Sequence, residues 1–163
     1  MQANPAVTIS DADRQARQVV IDGLYAMQKS AVAAQDAIRP LAEQLASLRK
    51  NLTGDAQLGG VAPPAGRAAQ IARVAAVADS VGAVDRTIGR ALNSVGQLAD
   101  AIGGYTGLPT PAQSREVAWT YENLTADITR LNAIMEKTIP ELYAALQIGN
   151  VWPSAVRAIP LPP

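Results

Sequence analysis

The side chains that could carry out chemistry in this sequence are mainly carboxylates, because the chain contains no histidine and no cysteine. Their absence removes the commonest general base, the usual zinc ligands, the thiol nucleophile and any disulfide. Paired carboxylates for glycoside hydrolysis would have to come from Asp and Glu residues scattered over helical faces, and the pattern brings no such pair together. We therefore expect that the protein is not an enzyme and that it binds no metal or cofactor.

Asp85 is the carboxylate whose position most needs an explanation, because it falls within a stripe of apolar residues. An ionised carboxylate is costly to bury without a partner. A functional interpretation makes Asp85 a residue that sets helix register or contacts a ligand. A structural interpretation pairs it with an arginine of a neighbouring helix, or moves it to the edge of the stripe because Val84 takes the inward position. We favour the structural interpretation.

Four residues are candidates for contact with a partner: Trp119, Tyr105, Trp152 and Pro153. Trp119 lies in a helical segment, where aromatic residues at this spacing are more often part of the core or its edge. Tyr105 lies in the glycine-rich stretch 103–107, which follows a helix, lacks a phosphate-binding lysine and therefore predicts a turn between helices. Trp152, followed by Pro153, is expected to anchor the C-terminal tail on the bundle end or to dock onto another domain.

The elements that position these residues are predicted from the spacing of apolar side chains. Apolar residues recur at alternating steps of three and four in three segments, which is the pattern of amphipathic helices. The predicted helices cover about 10–52, 67–102 and 111–147, and a glycine- and proline-rich connection covers 54–66. The same spacing is typical of helices that pack side by side at a small angle.

Local signals agree with the ends of these helices. Ser10 is a candidate N-cap, and Gly54 stands where a left-handed C-terminal cap is expected. Thr110, followed by Pro111 and by Gln113 three residues after the threonine, predicts a capping box at the start of the third helix.

Two prolines lie inside the predicted helices. The apolar stripe continues past both Pro40 and Pro140, so we expect kinks at these positions rather than helix ends. A break at Pro40, which would give four helices, is the alternative.

Length and composition complete the prediction of fold class. The 163 residues are 48% hydrophobic, but alanine alone contributes 32 residues and phenylalanine is absent. We predict a single all-α domain over 1–163: an elongated, antiparallel, up-down-up three-helix bundle with an extended proline-rich tail at 150–163. A formal charge of zero argues against nucleic-acid binding, and no signal peptide or membrane span is predicted.

Several stretches also resemble a known family. The stretches are 37–41 (AIRPL) leading into 45–49 (LASLR), 104–113 (GYTGLPTPAQ), 130–134 (RLNAI), and 139–143 (IPELY) closing towards 151–153 (VWP). With these features the chain resembles the C-terminal helical region of bacterial sortilin-like proteins, whose larger part is a β-propeller of Asp-box (BNR) repeats.

The resemblance implies an accessory module without catalytic residues, in a periplasmic or secreted protein. The propeller is not among these 163 residues. The resemblance therefore implies either a piece of a larger exported protein or a module that occurs alone as a subunit of an assembly.

Two classes of function remain open at this point. The first is a non-enzymatic helical interaction module that packs against a β-propeller, a sister chain or another subunit, with a homo-oligomer as one form. The alternative is a phasin-like bundle that lies on a polymer granule or a membrane. The narrow apolar stripes weigh against the alternative, because a surface binder should have spare hydrophobic area.

Overall fold

The computed structural model describes residues 10–57, 65–104, 107–146 and 158–162. These residues confirm the all-α prediction with three long helices, and the described ranges contain no β-strand. The elements in chain order are α1 (Asp11–Gln57), α2 (Ala65–Gly103), α3 (Pro111–Ala133), a π-helical turn (Ile134–Thr138) and α4 (Ile139–Ala145).

Helix α1 begins as predicted and does not break at its proline. The Ser10 hydroxyl oxygen accepts a hydrogen bond of 3.1 Å from the Asp13 amide, which confirms Ser10 as the N-cap. The helix continues through Pro40, so the alternative of four helices from a break at Pro40 is wrong. Proline removes one helical hydrogen bond, but Ile38 and Leu41 are both buried on either side of it. Packing therefore holds the helix together where the backbone is weakened.

The predicted end of α1 at residue 52 is wrong, because the helix runs on to Gln57. Gly54 lies inside the helix and is not left-handed. The Thr53 hydroxyl donates to the carbonyl oxygens of Arg49 and Lys50, within the same helix. Glycine costs a helix only about 1 kcal/mol relative to alanine, so a long helix with a packed face can pass through one.

Helix α2 buries a face that is rotated slightly from the predicted stripe. Val77, Val84 and Leu98, which flank the stripe that contains Asp85, are buried in the structure. The buried side chains are Val74, Val77, Val81, Val84, Ile88, Val95, Leu98 and Ile102. Asp85 is half-buried at the edge of this face, while Val84 is 1% exposed. The edge position predicted for Asp85 is therefore confirmed.

Helix α3 begins with the predicted capping box. The Gln113 amide donates to the Thr110 hydroxyl oxygen at 3.2 Å, and the Thr110 amide donates to Gln113 Oε1 at 2.8 Å. Just after α2, at Gly104, an added Cβ would lie 3.1 Å from the Asp100 carbonyl oxygen, so a side chain there would be crowded.

The predicted third helix over 111–147 is not one uniform α-helix. A π-helical turn separates α3 from α4, and the Ile139 amide bonds to the Ile134 carbonyl five residues back instead of four. The turn ends just before Pro140, whose missing amide and bulky ring disturb the normal pattern of the preceding turn. The sequence predicts a kink at Pro140. The structure instead has a change of helix type in the turn before the proline.

The core is one continuous cluster that runs between the helices. Helix α1 makes its most extensive contacts with α2, and Ala31 and Ala34 on its inner face are completely buried. Alanine leaves room for two helix backbones to approach closely. Ile159, from the C-terminal segment 158–162, also belongs to this cluster. In the part of the chain that the structure describes, no helix is long and apolar enough to cross a membrane.

Candidate partner-binding groove

Of the four residues predicted to contact a partner, Trp119 is the one that the structure describes. Tyr105, Trp152 and Pro153 lie outside the described residues. Trp119 is on α3 and 61% of its surface is exposed. It is therefore not a core residue, and a large aromatic side chain with this exposure is available for contact.

Trp119 lies at the rim of a groove between α2 and α3. The groove has a volume of about 480 Å³, which is within the range of ligand-binding pockets. Most of the side chains that line it are polar. From α2 they are Thr87, Arg90, Ala91, Asn93 and Ser94, and from α3 they are Trp119, Thr120, Asn123 and Asp127.

The charged groups of the groove are available for binding, whereas one of its amides bonds within its own helix. Arg90 and Asp127 have opposite charges, but no ion pair joins them to each other or to another described residue. The Asn123 side chain donates a 2.6 Å hydrogen bond to the Trp119 carbonyl, which holds the amide against its own helix. The groove therefore offers a cation, an anion and amide groups beside an aromatic surface.

Thr120 is the least expected residue of the groove. Its side chain is 1% exposed, and its hydroxyl oxygen has no hydrogen-bond partner. A buried hydroxyl without a partner costs about 1–3 kcal/mol of stability. The hydroxyl oxygen itself is not exposed to the groove, so Thr120 is part of the wall and does not present a binding group.

The sequence analysis did not single out Thr120. The structure leaves Tyr121 half-buried and buries its neighbour Thr120. The signal that could have found it is the four-residue spacing from Thr120 to Leu124 and Ile128, all of which are buried. Threonine is polar, so a search for apolar residues passes over it.

A second groove lies between α1 and α2 and has a volume of about 390 Å³. Its floor is apolar, and Asp85 lines it together with Arg49 and Lys50. Asp85 forms no ion pair with another described residue. In the described ranges, no cluster of three or more acidic side chains has an arrangement suited to a metal ion.

Comparisons with known proteins do not identify the chain. It matches no protein-family model, no curated protein and no solved structure. The groove beside Trp119 is therefore the main basis for an inference about function.

Proposed function

We propose that this chain is a non-enzymatic helical accessory module that binds another protein through the groove beside Trp119. The observation that carries the proposal is an aromatic side chain that is 61% exposed beside a groove lined by Arg90 and Asp127, which form no ion pair with a described residue. Exposed tryptophan and arginine are enriched at the centres of protein interfaces. A partner would cover Trp119 and place groups of opposite charge beside Arg90 and Asp127.

The scaffold proposed for this groove is an elongated up-down-up bundle of α1, α2 and α3, followed by an extended proline-rich tail. Two pairs of neighbouring residues support opposite directions for α1 and α2. Gln35 on α1 lies beside Gly89 on α2, whereas Thr53 further along α1 shares a groove with Ala78, earlier in α2. At about 1.5 Å per residue, α1 is roughly 70 Å long. Such a scaffold presents a long lateral surface to a partner.

The partner proposed first is a β-propeller of an exported sortilin-like protein, with another subunit of an assembly as the second form of the same function. This choice rests on the resemblance of the stretches 37–49, 104–113 and 130–143 to that family. The mixed charges and amides of the groove suit a protein surface, because polar side chains at an interface need partners of matching polarity. We accordingly place the protein in the periplasm or outside the cell.

Loss of the exposed aromatic surface tests the proposal. Trp119→Ala and Tyr25→Ala are compared with the unmodified chain in cells that naturally produce it, and co-purified proteins are quantified by mass spectrometry. Tyr25 on α1 is 59% exposed and is therefore a matched control. We expect at least one protein to be depleted tenfold or more by Trp119→Ala and retained by Tyr25→Ala. Equal recovery from both variants would contradict the proposal.

Binding to a surface rather than to a protein is a separate outcome. The purified chain is mixed with liposomes or polymer granules and sedimented. If the chain sediments with liposomes or granules, and the Trp119→Ala variant does so equally well, the phasin-like alternative is favoured over the accessory module. Turnover of a glycan or peptide that is lost on replacing one acidic residue would overturn the non-enzymatic assignment.

A further inference from the structure

Two side chains of α3 hold the C-terminal segment 158–162 by its main chain. Asn132 uses both ends of its side-chain amide on one residue of the segment. Its Nδ2 donates to the Ile159 carbonyl at 3.0 Å, and its Oδ1 accepts from the Ile159 amide at 2.9 Å. Such a pair of bonds fixes the position and direction of a peptide but does not depend on its side chain.

A third hydrogen bond holds the segment three residues further along, at Pro162. The Tyr121 hydroxyl donates to the Pro162 carbonyl at 3.2 Å. From Asn132 back to Tyr121, α3 covers eleven residues, or about 16 Å. Between the two contacts the segment has only three residues, which reach about 10 Å when extended but less than 5 Å when helical, so the reach of the Asn132 and Tyr121 side chains makes up the rest. Reach therefore favours an extended segment that runs opposite to α3.

Burial along the segment has a period of three. Ile159 and Pro162 are buried, whereas Pro160 and Leu161 are exposed. A polyproline II helix has three residues per turn, so residues three apart share a face. Proteins that recognise this conformation bind the peptide carbonyls and accept two side chains of this spacing on an aromatic surface.

We propose that the Asn132–Tyr121 face of α3 is a recognition site for an extended peptide of the form apolar-Pro-x-Pro from another protein, and that the chain's own C-terminal segment is its internal competitor. The internal contact consists of three hydrogen bonds and two buried side chains. A contact of this size is held by the high effective concentration of a tethered segment, of the order of millimolar, rather than by high affinity. A free peptide can therefore replace it.

A second copy of the chain is a weaker occupant than a different protein. Its segment would make the same contacts as the tethered one, without the advantage of the tether. A longer proline-containing segment of another protein can add contacts along α3 and so displace the internal one. This site is separate from the Trp119 groove, because residues 119 and 121 point about 160° apart around the helix.

Displacement of the labelled C-terminus tests the proposal on the full chain. The chain contains no cysteine, so one cysteine added after Pro163 takes a single fluorophore. The unlabelled peptide Ala-Ile-Pro-Leu-Pro-Pro is then added up to about 10 mM, which is above the effective concentration of the tether. We expect the fluorescence anisotropy to fall by at least half of its difference from the free labelled peptide. A control peptide with Asp in place of Ile should leave it unchanged.

Two substitutions test whether the Asn132 side chain holds the C-terminal segment in place. Asn132→Asp keeps the acceptor but loses the donor, and we expect its anisotropy to be low before any peptide is added. Asn51→Asp is the matched control, because Asn51 is an exposed asparagine of α1 that lines neither groove. It should behave like the unmodified chain. Circular dichroism shows whether each variant keeps its helices.

Any of four results would overturn the inference. They are no fall in anisotropy at 10 mM peptide, an equal fall with the Asp-containing peptide, unchanged anisotropy in Asn132→Asp, or a dimer formed by exchange of C-termini in light scattering. If Asn132→Asp loses its helices, an NMR titration of the unmodified chain decides: the Ile159 amide signal must shift on addition of the first peptide and not of the second. None of these results depends on Trp119.

Discussion

The replacement Thr120→Val should make the protein more stable. The substitution exchanges a hydroxyl for a methyl group of nearly the same size, and the two residues have similar helix propensities. The Thr120 hydroxyl is buried without a hydrogen-bond partner, so its removal relieves a cost of about 1–3 kcal/mol. We expect the free energy of unfolding to rise by about 1 kcal/mol or more.

Urea unfolding followed by circular dichroism measures this change. In a thermal melt, 1 kcal/mol corresponds to a rise in Tm of roughly 2–4 °C for a chain of this length. Thr129→Val is the matched control, because the Thr129 hydroxyl is exposed and donates to the Thr125 carbonyl at 2.8 Å. Its effect should stay within about 0.5 kcal/mol. A loss of stability in Thr120→Val would refute the reasoning, because it would mean that the hydroxyl is satisfied in the folded protein.

Further predictions concern the core and the helix cap. Leu124→Ala should lower the free energy of unfolding by roughly 2–5 kcal/mol, because Leu124 is completely buried. Leu108→Ala is the control and should cost far less, because the Leu108 side chain is 47% exposed. Equal losses of stability in urea unfolding would place Leu124 at the surface. Thr110→Ala should cost about 1 kcal/mol by removing the capping box, and should speed amide hydrogen exchange in the first turn of α3; unchanged exchange would show that the cap is not stabilising.

Helix content and the starts of α1 and α3 could be predicted from the sequence because they depend on local patterns. Apolar spacing is a property of each segment alone, and a cap needs only neighbours such as Ser10 and Asp13. The end of α1 could not be predicted in this way. Gly54 is a typical C-terminal cap residue, but the small cost of a helical glycine is outweighed by continuing helical hydrogen bonds and packing.

Features that depend on contacts between distant parts of the chain were beyond the sequence pattern. Thr120 is buried because of the way in which α3 packs on α2, and its spacing from Leu124 and Ile128 is the one sequence signal of this, which a search for apolar residues misses. Asn132 contacts Ile159, which lies 27 residues further along the chain. The π-helical turn before Pro140 also escaped prediction, because one additional residue in a turn shifts the apolar spacing only slightly.

The central claim is that Trp119 lies at the contact with a partner protein, and site-specific photo-crosslinking tests it most directly. A photo-reactive amino acid is placed at position 119, or at the equally exposed position of Tyr25 as a control, and the chain is irradiated in cells that naturally produce it. The account predicts one discrete covalent adduct with another protein from position 119 and none from position 25. Absence of an adduct at position 119, or the same adducts from both positions, would contradict it.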